Sequence, residues 1–308
     1  MPPSRPYTAW DPTSPAFIKD DVLCIPTAFC SYTGEALDKK TPLLRSMTAL
    51  SRESKRVLAL FGKTPKKVVP SVGDEQEDFL IKKDAYRKRR DLVITGRTLF
   101  GAAPCKGQEL EEHYFGAIRP TVSSYMKDLD DELWALGIPA KTKHNEVAPC
   151  QHELAPVYGE VNEAIDQNLV MMEKMKLIAS RHDLVCLLHE KPFEGINGSG
   201  KHNNWSLGTE SENLLDPGDT PLDNLQFIVF LTAVIEAVDN YQELLIVIDG
   251  LDRPATTIVW APTRLLRRLC PSSWATSLPR SSRRSSMAKL PSMPRAACST
   301  WAPIPCPS

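Results

Sequence analysis

The sequence lacks an apolar run long enough to cross a bilayer. Its longest apolar stretch, Leu225 to Val238, is short and contains Glu236. The first residues, MPPSRPYTAWDP, also lack the apolar core of a secretory signal. These absences lead us to expect a protein of the cytoplasm that neither spans nor binds a membrane.

Cysteine pairs with the spacing of metal fingers are absent as well. The eight cysteines include no CxxC pair, which excludes the common zinc-finger classes. Such scattered cysteines are more typical of reduced thiols in a cytosol than of a disulfide framework.

Residues 251–308 lack glycine and glutamate altogether. They contain ten serines, nine prolines, eight arginines and a single acid, Asp252, which gives this part a net charge of +8. Residues 1–250 carry a net charge of −9, so the chain changes composition near residue 250. A basic tail of this kind can act as a disordered arm that binds nucleic acid. The absence of regularly interleaved aromatic residues makes that interpretation the weaker one.

Two acidic stretches in the first 250 residues point towards a metal. His144, Glu146, His152 and Glu153 lie within KHNEVAPCQHE, and residues 74–78 contribute four acids to the strand-like VVPSVGDEQEDFLI. Burying this many carboxylates on strands is costly unless a cation lies among them. Taken alone, the first stretch could equally be a solvated strand end. For residues 74–78, on a strand flanked by Val72 and Phe79, a cation is the favoured explanation.

Side-chain alternation determines which carboxylates could share a cation. Glu75 and Glu77 are two residues apart, so they share one face of a strand. Glu146 and Glu153 are seven residues apart and would point to opposite faces of a regular strand. Pro149 favours a bend around residues 148–150, which would turn both carboxylates to the same side.

Periodicity predicts an α+β fold. Amphipathic segments predict helices near residues 42–61, 119–136, 160–181 and 220–245, the last one opened by Thr220 and Pro221. Strands are predicted over residues 68–81, in RDLVITGRTLFGA, in DLVCLLHEKPF and after the glycine-rich turn of GINGSGKHNNWSL. We expect a curved, mainly antiparallel sheet with the acidic residues on its concave face and the helices packed outside. Residues 1–41 show no sustained period and are expected to be extended.

Four long and irregular segments carry a family resemblance. AFCSYTGEALDKKTPLLRSM, DEQEDFLI, KTKHNEVAPCQHELAP and HEKPFEGINGSGKHNNWSL resemble glutamine synthetase, most closely its large type III form. The resemblance covers about residues 7–245. It implies an ATP-dependent ligase that joins ammonia to glutamate through a γ-glutamyl phosphate, uses Mg²⁺ or Mn²⁺, and forms ring-shaped homo-oligomers.

The resemblance also implies roles for individual residues. Glu77, Glu146 and Glu153 correspond to the ligands of the metal that helps to bind glutamate and ammonium, and Glu146 is the candidate catalytic residue. Glu75 and His202 correspond to ligands of the second metal, which neutralises the phosphates of ATP. The remaining correspondences are Asn197 and Gly198 for glutamate binding, and Asn204 and Ser206 for nucleotide binding.

The resemblance stops where the composition changes. The family continues with a segment close to GNDHRLGANEAPP, whereas this chain reads ATTIVWAPTRLLRR. A single DNA sequence encodes both when it is read one base apart. We therefore interpret residues 250–308 as a frameshifted, disordered tail, residues 42–249 as a partial catalytic domain, and residues 1–41 as the remnant of an N-terminal region.

Three functions follow from these observations. The first is a glutamine synthetase that is strongly impaired, since the tail replaces the arginines that hold glutamate and phosphates. The second is a catalytically silent fragment that binds a metal or a partner, for which ring assembly is disfavoured. The third, a nucleic-acid binder acting through its tail, is the least favoured.

Overall fold

The fold was described from a computed structural model, which defines residues 6–102 and 105–248. The strands are β1 Pro6–Trp10, β2 Phe17–Lys19, β3 Val22–Cys24, β4 Thr27–Ser31, β5 Val69–Lys82, β6 Ala140–Asn145, β7 Gln151–Pro156, β8 Gly159–Glu160, β9 Leu184–Leu187 and β10 Lys201–Gly208. The helices are α1 Lys40–Leu60, α2 Lys83–Arg87, α3 Arg90–Thr95, α4 Pro120–Ala135, α5 Val161–Arg181 and α6 Leu225–Ile248, with a 3-10 turn at Glu109–Glu111. The prediction for residues 250–308 lies outside the described residues.

One six-stranded antiparallel sheet organises the fold. Its strand order is β10-β5-β7-β6, and β8 and β9 also pair with β5. The α+β class and the mainly antiparallel sheet are therefore confirmed. The long strand β5 contacts four other strands, so its residues lie at the centre of the sheet.

The core lies between this sheet and helices α4 and α5. Leu80 of β5 and Leu154 of β7 are buried against Tyr125 and Leu129 of α4 and Met171 of α5. This burial places the apolar face of α4 and two methionines of α5, Met171 and Met175, in the core. Because strand side chains alternate, the residues that flank Leu80 and Leu154 in sequence face away from these helices.

Two predicted elements are wrong in type or in position. Residues Arg90–Thr95 form helix α3 rather than a strand, and the helix ends at Gly96, whose φ of 74° suits a left-handed C-cap. Six residues are too few for periodicity to separate a helix from a strand. Helix α6 begins at Leu225 rather than at Thr220. The side chain of Asn224, which accepts a hydrogen bond from the Phe227 amide at 3.0 Å, caps it instead.

The extended N-terminal segment is anchored to helices α1 and α5. Asp11 is buried and accepts hydrogen bonds from Asn162 at 2.8 Å and from the Thr13 amide at 3.0 Å. Lys40 lies 3.1 Å from the same carboxylate. Burial alone would raise the pKa of Asp11, but these hydrogen bonds lower it to about 2. The N-terminal strands are thus held by a charged, hydrogen-bonded contact.

No helix in residues 6–102 or 105–248 has the length and apolarity needed to cross a membrane.

Candidate metal centre

Strand β5 separates its acids onto two faces. Asp74 and Asp78 lie on the helix side and are almost fully buried, and burial raises the pKa of Asp78 to about 8. Glu75 and Glu77 lie on the opposite face, as their spacing predicts. The first half of the site is therefore a pair of carboxylates on the face that the helices leave open.

A tight hairpin brings the second pair of carboxylates to this face. Strand β6 ends at Asn145 and β7 begins at Gln151, and between them Cys150 adopts a left-handed φ of 64°. Ligand atoms of His144, Glu146 and Glu153 lie within 4.8 Å of one another. The predicted bend around residues 148–150, with both carboxylates on one side, is confirmed.

His144 connects the two glutamates of the hairpin. Its Nε2 lies 2.9 Å from Glu153 Oε1, and its Nδ1 lies 3.4 Å from Glu146 Oε1. Burial lowers the pKa of His144, but the carbonyl of Asn145 and the two carboxylates outweigh that effect and raise it. The imidazole is thus held between the two carboxylates of the hairpin.

The carboxylates of β5 extend the same cluster. Glu77 is the register partner of Glu153 across β5 and β7, and Glu75 is the partner of His202 across β5 and β10. The Glu75 carboxylate lies 2.6 Å from His202 Nδ1. The structure thus brings all five predicted metal residues to adjacent positions on one face of the sheet.

Like charges and burial disfavour ionisation of these carboxylates. Burial, together with the charges of Glu75 and Glu146, raises the pKa of Glu153 to about 7. Burial is also the main cause of the raised pKa values of Glu77 and Glu146. The imidazoles of His144 and His202 contact these carboxylates through their ring nitrogens. A divalent cation would relieve this repulsion.

The glycine-rich turn adjoins the carboxylates directly. The amide of Gly200 donates to Glu77 Oε2 at 3.1 Å. The carbonyl of Gly198 accepts from the side chain of Gln151 at 2.7 Å. Asn197 contacts the side chain of Gln108, whose Nε2 donates to Asn197 Oδ1 at 3.1 Å. Gly198 is therefore linked to the candidate ligand Glu77 through Gln151, and Asn197 precedes it in the same turn.

The two predicted nucleotide-binding residues are placed differently. Asn204 donates to Glu75 Oε1 at 2.7 Å and so belongs to the acidic cluster. Ser206 lies one side-chain repeat further along β10, and its hydroxyl donates to Asn213 Oδ1 at 2.7 Å. Any contact of Ser206 with a ligand would therefore lie at the edge of the site.

Sequence reasoning named His144 in the acidic stretch KHNEVAPCQHE but gave it no ligand role. It did not single out two further residues of the site, Gln151 and His113. The Nδ1 of His113 donates to the backbone carbonyl of Glu146 at 2.7 Å, a contact that depends on a loop far away in sequence.

We expect Gly198→Ala to disrupt the glycine turn. A Cβ at Gly198 would lie 2.1 Å from the carbonyl oxygen of Glu190, a backbone atom that cannot move aside without shifting the chain. The strain should cost on the order of 2 kcal/mol, measurable by urea unfolding. Amide exchange in residues 195–200 should increase at the same time.

Gly159→Ala is the matched control, since a Cβ at that position meets nothing within 4 Å. Equal stability and equal exchange for the Gly198 variant and this control would show that the turn tolerates a side chain.

Two family models match the chain. Residues 54–236 match the family described as glutamine synthetase, catalytic domain, and residues 3–46 match glutamine synthetase type III N terminal. The chain belongs to the glutamine synthetase family. Its acidic face and glycine turn both lie within the matched catalytic region.

Two glutamine synthetases are similar to the chain over most of its described length. It is 62% identical over 232 residues to a glutamine synthetase of Butyrivibrio fibrisolvens, a match that covers 75% of this chain and 33% of that protein. It is 55% identical over 248 residues to the type-3 glutamine synthetase of Dictyostelium discoideum, covering 79% and 34%. The chain thus spans about a third of the length of these glutamine synthetases.

A solved structure supports the fold. The glutamine synthetase of Plasmodium falciparum superposes with a TM-score of 0.50 at 17% identity, covering 68% of this chain and 42% of that one. At this identity the similarity concerns the glutamine synthetase fold alone.

Proposed function

We propose that the acidic face is the divalent-metal site of a glutamate–ammonia ligase. The observation that carries the proposal is the convergence of His144, Glu146 and Glu153 within 4.8 Å, with Glu77 opposite Glu153 on the neighbouring strand. Membership of the glutamine synthetase family supplies the reaction class.

The donor set fits Mg²⁺ or Mn²⁺. Carboxylate oxygens with a small number of imidazoles suit these hard cations better than zinc or copper. Glu77, Glu146 and Glu153 would hold one ion, and Glu75 and His202 would contribute to a second. Bound there, the ions would neutralise phosphate charge and help to orient glutamate and ammonium.

The residues around the cluster have separate roles in this proposal. Asn197 and Gly198 would hold glutamate beside the metal ligands, and Asn204 with Ser206 would face the nucleotide. Glu146 is the candidate catalytic residue, since burial raises its pKa and its carboxylate faces the cluster. The reaction would be transfer of the terminal phosphoryl group of ATP to glutamate, followed by displacement of phosphate by ammonia. We assign this chemistry to the cytoplasm.

We further propose that this chain is strongly impaired as a ligase. In this interpretation residues 250–308 are a frameshifted tail that follows a partial catalytic domain, residues 42–249, and an N-terminal remnant, residues 1–41. The catalytic-domain match ends at residue 236, which supports a loss of similarity to the family in the C-terminal part of the chain. A chain of this kind would retain metal binding, the second of the functions considered, while lacking the substrate arginines of the family.

Manganese titration tests the metal site. Purified chain, stripped with EDTA and titrated with Mn²⁺ while free Mn²⁺ is followed by electron paramagnetic resonance, should bind with a dissociation constant below about 1 mM, equivalent to about 4 kcal/mol. Mg²⁺ should compete because it prefers the same ligands. Binding no stronger than that of an unrelated protein of similar net charge would contradict the proposal.

A further inference from the structure

Gln151 is a fully buried polar side chain at the start of strand β7. It is 0% exposed and lies two residues from Glu153, next to the carboxylates but outside the predicted ligand set. Burial of a carboxamide is costly unless its polar atoms are hydrogen-bonded. Its partners therefore indicate what it does.

The carboxamide bonds to three separate segments of the chain. Its Oε1 accepts from the Ala148 amide at 3.1 Å, within the hairpin bend. Its Nε2 donates to Glu77 Oε2 at 3.1 Å and to the Gly198 carbonyl at 2.7 Å. A primary amide nitrogen has two N–H donors, so both are used. One goes to a candidate metal ligand and the other to the candidate glutamate-binding turn.

These bonds orient the carboxylate of Glu77. Glu77 Oε2 accepts from Gln151 and also from the Gly200 amide, each at 3.1 Å. Among the described residues, the side-chain hydrogen bonds of Glu77 thus go to Oε2, which leaves Oε1 to point a lone pair at a cation. A carboxylate held through one oxygen ligates with less loss of conformational freedom than one that rotates.

We propose that Gln151 is a positioning residue that couples the glycine turn to the metal cluster. The inference rests on the proposed function of the acidic face. Gln151 contacts neither ion nor substrate; it fixes the distance between Glu77 and Gly198, so that binding at either place stabilises the geometry of the other. Methionine has a similar length but no donors, and asparagine keeps the carboxamide but is one methylene shorter.

Replacement of Gln151 by methionine tests the coupling with two measurements. In Gln151→Met we expect Mn²⁺ affinity to fall about tenfold, as is typical when a group that orients a metal ligand is lost. Amide exchange of residues 198–200 should increase in the metal-free chain, because the Gly198 carbonyl loses its donor. Gln151→Asn, which keeps an uncharged carboxamide but is one methylene too short to span Glu77 and Gly198, should show the same increase in exchange and covers the case in which the methionine variant does not fold.

Asn162→Leu is the matched control, since Asn162 is an equally buried amide that bonds to Asp11 and Thr13, far from the cluster. It should lower stability yet keep wild-type Mn²⁺ affinity and turn protection. The inference is overturned if Gln151→Met keeps both properties, or if the control loses them to the same extent. If the unaltered chain does not bind Mn²⁺, the proposed function is rejected but the inference about Gln151 is not. Amide exchange of residues 198–200 would then still show whether Gln151 holds the glycine turn.

Discussion

The chain as given is expected to form glutamine at less than about one hundredth of the rate of a version whose reading frame is restored after residue 249. In the proposed reaction, the terminal phosphate of ATP and the side-chain carboxylate of glutamate must be held in line. Such positioning supplies several kcal/mol of barrier lowering. Removal of one charge-stabilising group typically costs roughly a hundredfold to a thousandfold. The tail would replace several such groups at once.

The measurement is a glutamine-forming assay with ATP, Mg²⁺, glutamate and ammonia on both versions at equal concentration. The control is Mn²⁺ binding, which should be retained in the chain as given, because the cluster lies before residue 249. Turnover within about tenfold of the restored version, a difference of about 1.4 kcal/mol, would contradict the prediction. It would show that the chain as given still has the groups that hold the phosphate and the glutamate carboxylate.

Replacement of Glu153 by glutamine should have opposite effects on metal binding and on metal-free stability. Loss of a direct carboxylate ligand should weaken Mn²⁺ binding by at least roughly a hundredfold. Burial and the neighbouring carboxylates raise the pKa of Glu153 to about 7, so its ionisation opposes folding. The metal-free chain should lose stability as pH rises from about 4.5 to 7, because the folded state binds a proton that the unfolded state has released.

Glu153→Gln should remove that loss, with a gain on the order of 2 kcal/mol at pH 7.5 in EDTA. Urea unfolding at pH 5 and pH 7.5 measures it. Glu236→Gln, at an exposed position on helix α6, is the control and should alter neither property. A Glu153 variant that is destabilised at pH 7.5 in EDTA would show that the carboxylate is structurally favourable, contrary to the raised pKa.

The parts of the site that follow from strand alternation could be predicted from sequence. Glu75 and Glu77 share a face because two residues separate them, and the bend at Pro149 was enough to place Glu146 with Glu153. The role of Gln151 could not be predicted, since its partners lie on segments that only the folded sheet brings together. Residues Arg90–Thr95 were wrongly predicted as a strand because their short apolar run fits both the helical and the strand period. In the folded chain Leu92 of this helix packs near Phe193 and Leu187.

The roles proposed for the residues come from the resemblance to the family, whereas strand alternation predicted their placement. Asn204 is an example. Its predicted role in nucleotide binding came from the resemblance, whereas in the structure its side chain donates a hydrogen bond to Glu75. The number of carboxylates in the two acidic stretches indicated a cation. It did not indicate that both ring nitrogens of His144 would face carboxylates. That arrangement depends on side-chain geometry, which a strand pattern does not contain.

The pairing of β5 also bears on how the protein is made. This strand, Val69–Lys82, leaves the ribosome before any of its four partners, the earliest of which begins at Gln151. At typical elongation rates the intervening residues take on the order of ten seconds to synthesise. Throughout that delay the nascent strand presents Phe79, Leu80 and Ile81, all buried in the finished fold, beside unpaired backbone. During translation the β5 segment is therefore open to pairing with other chains until β7 has been made.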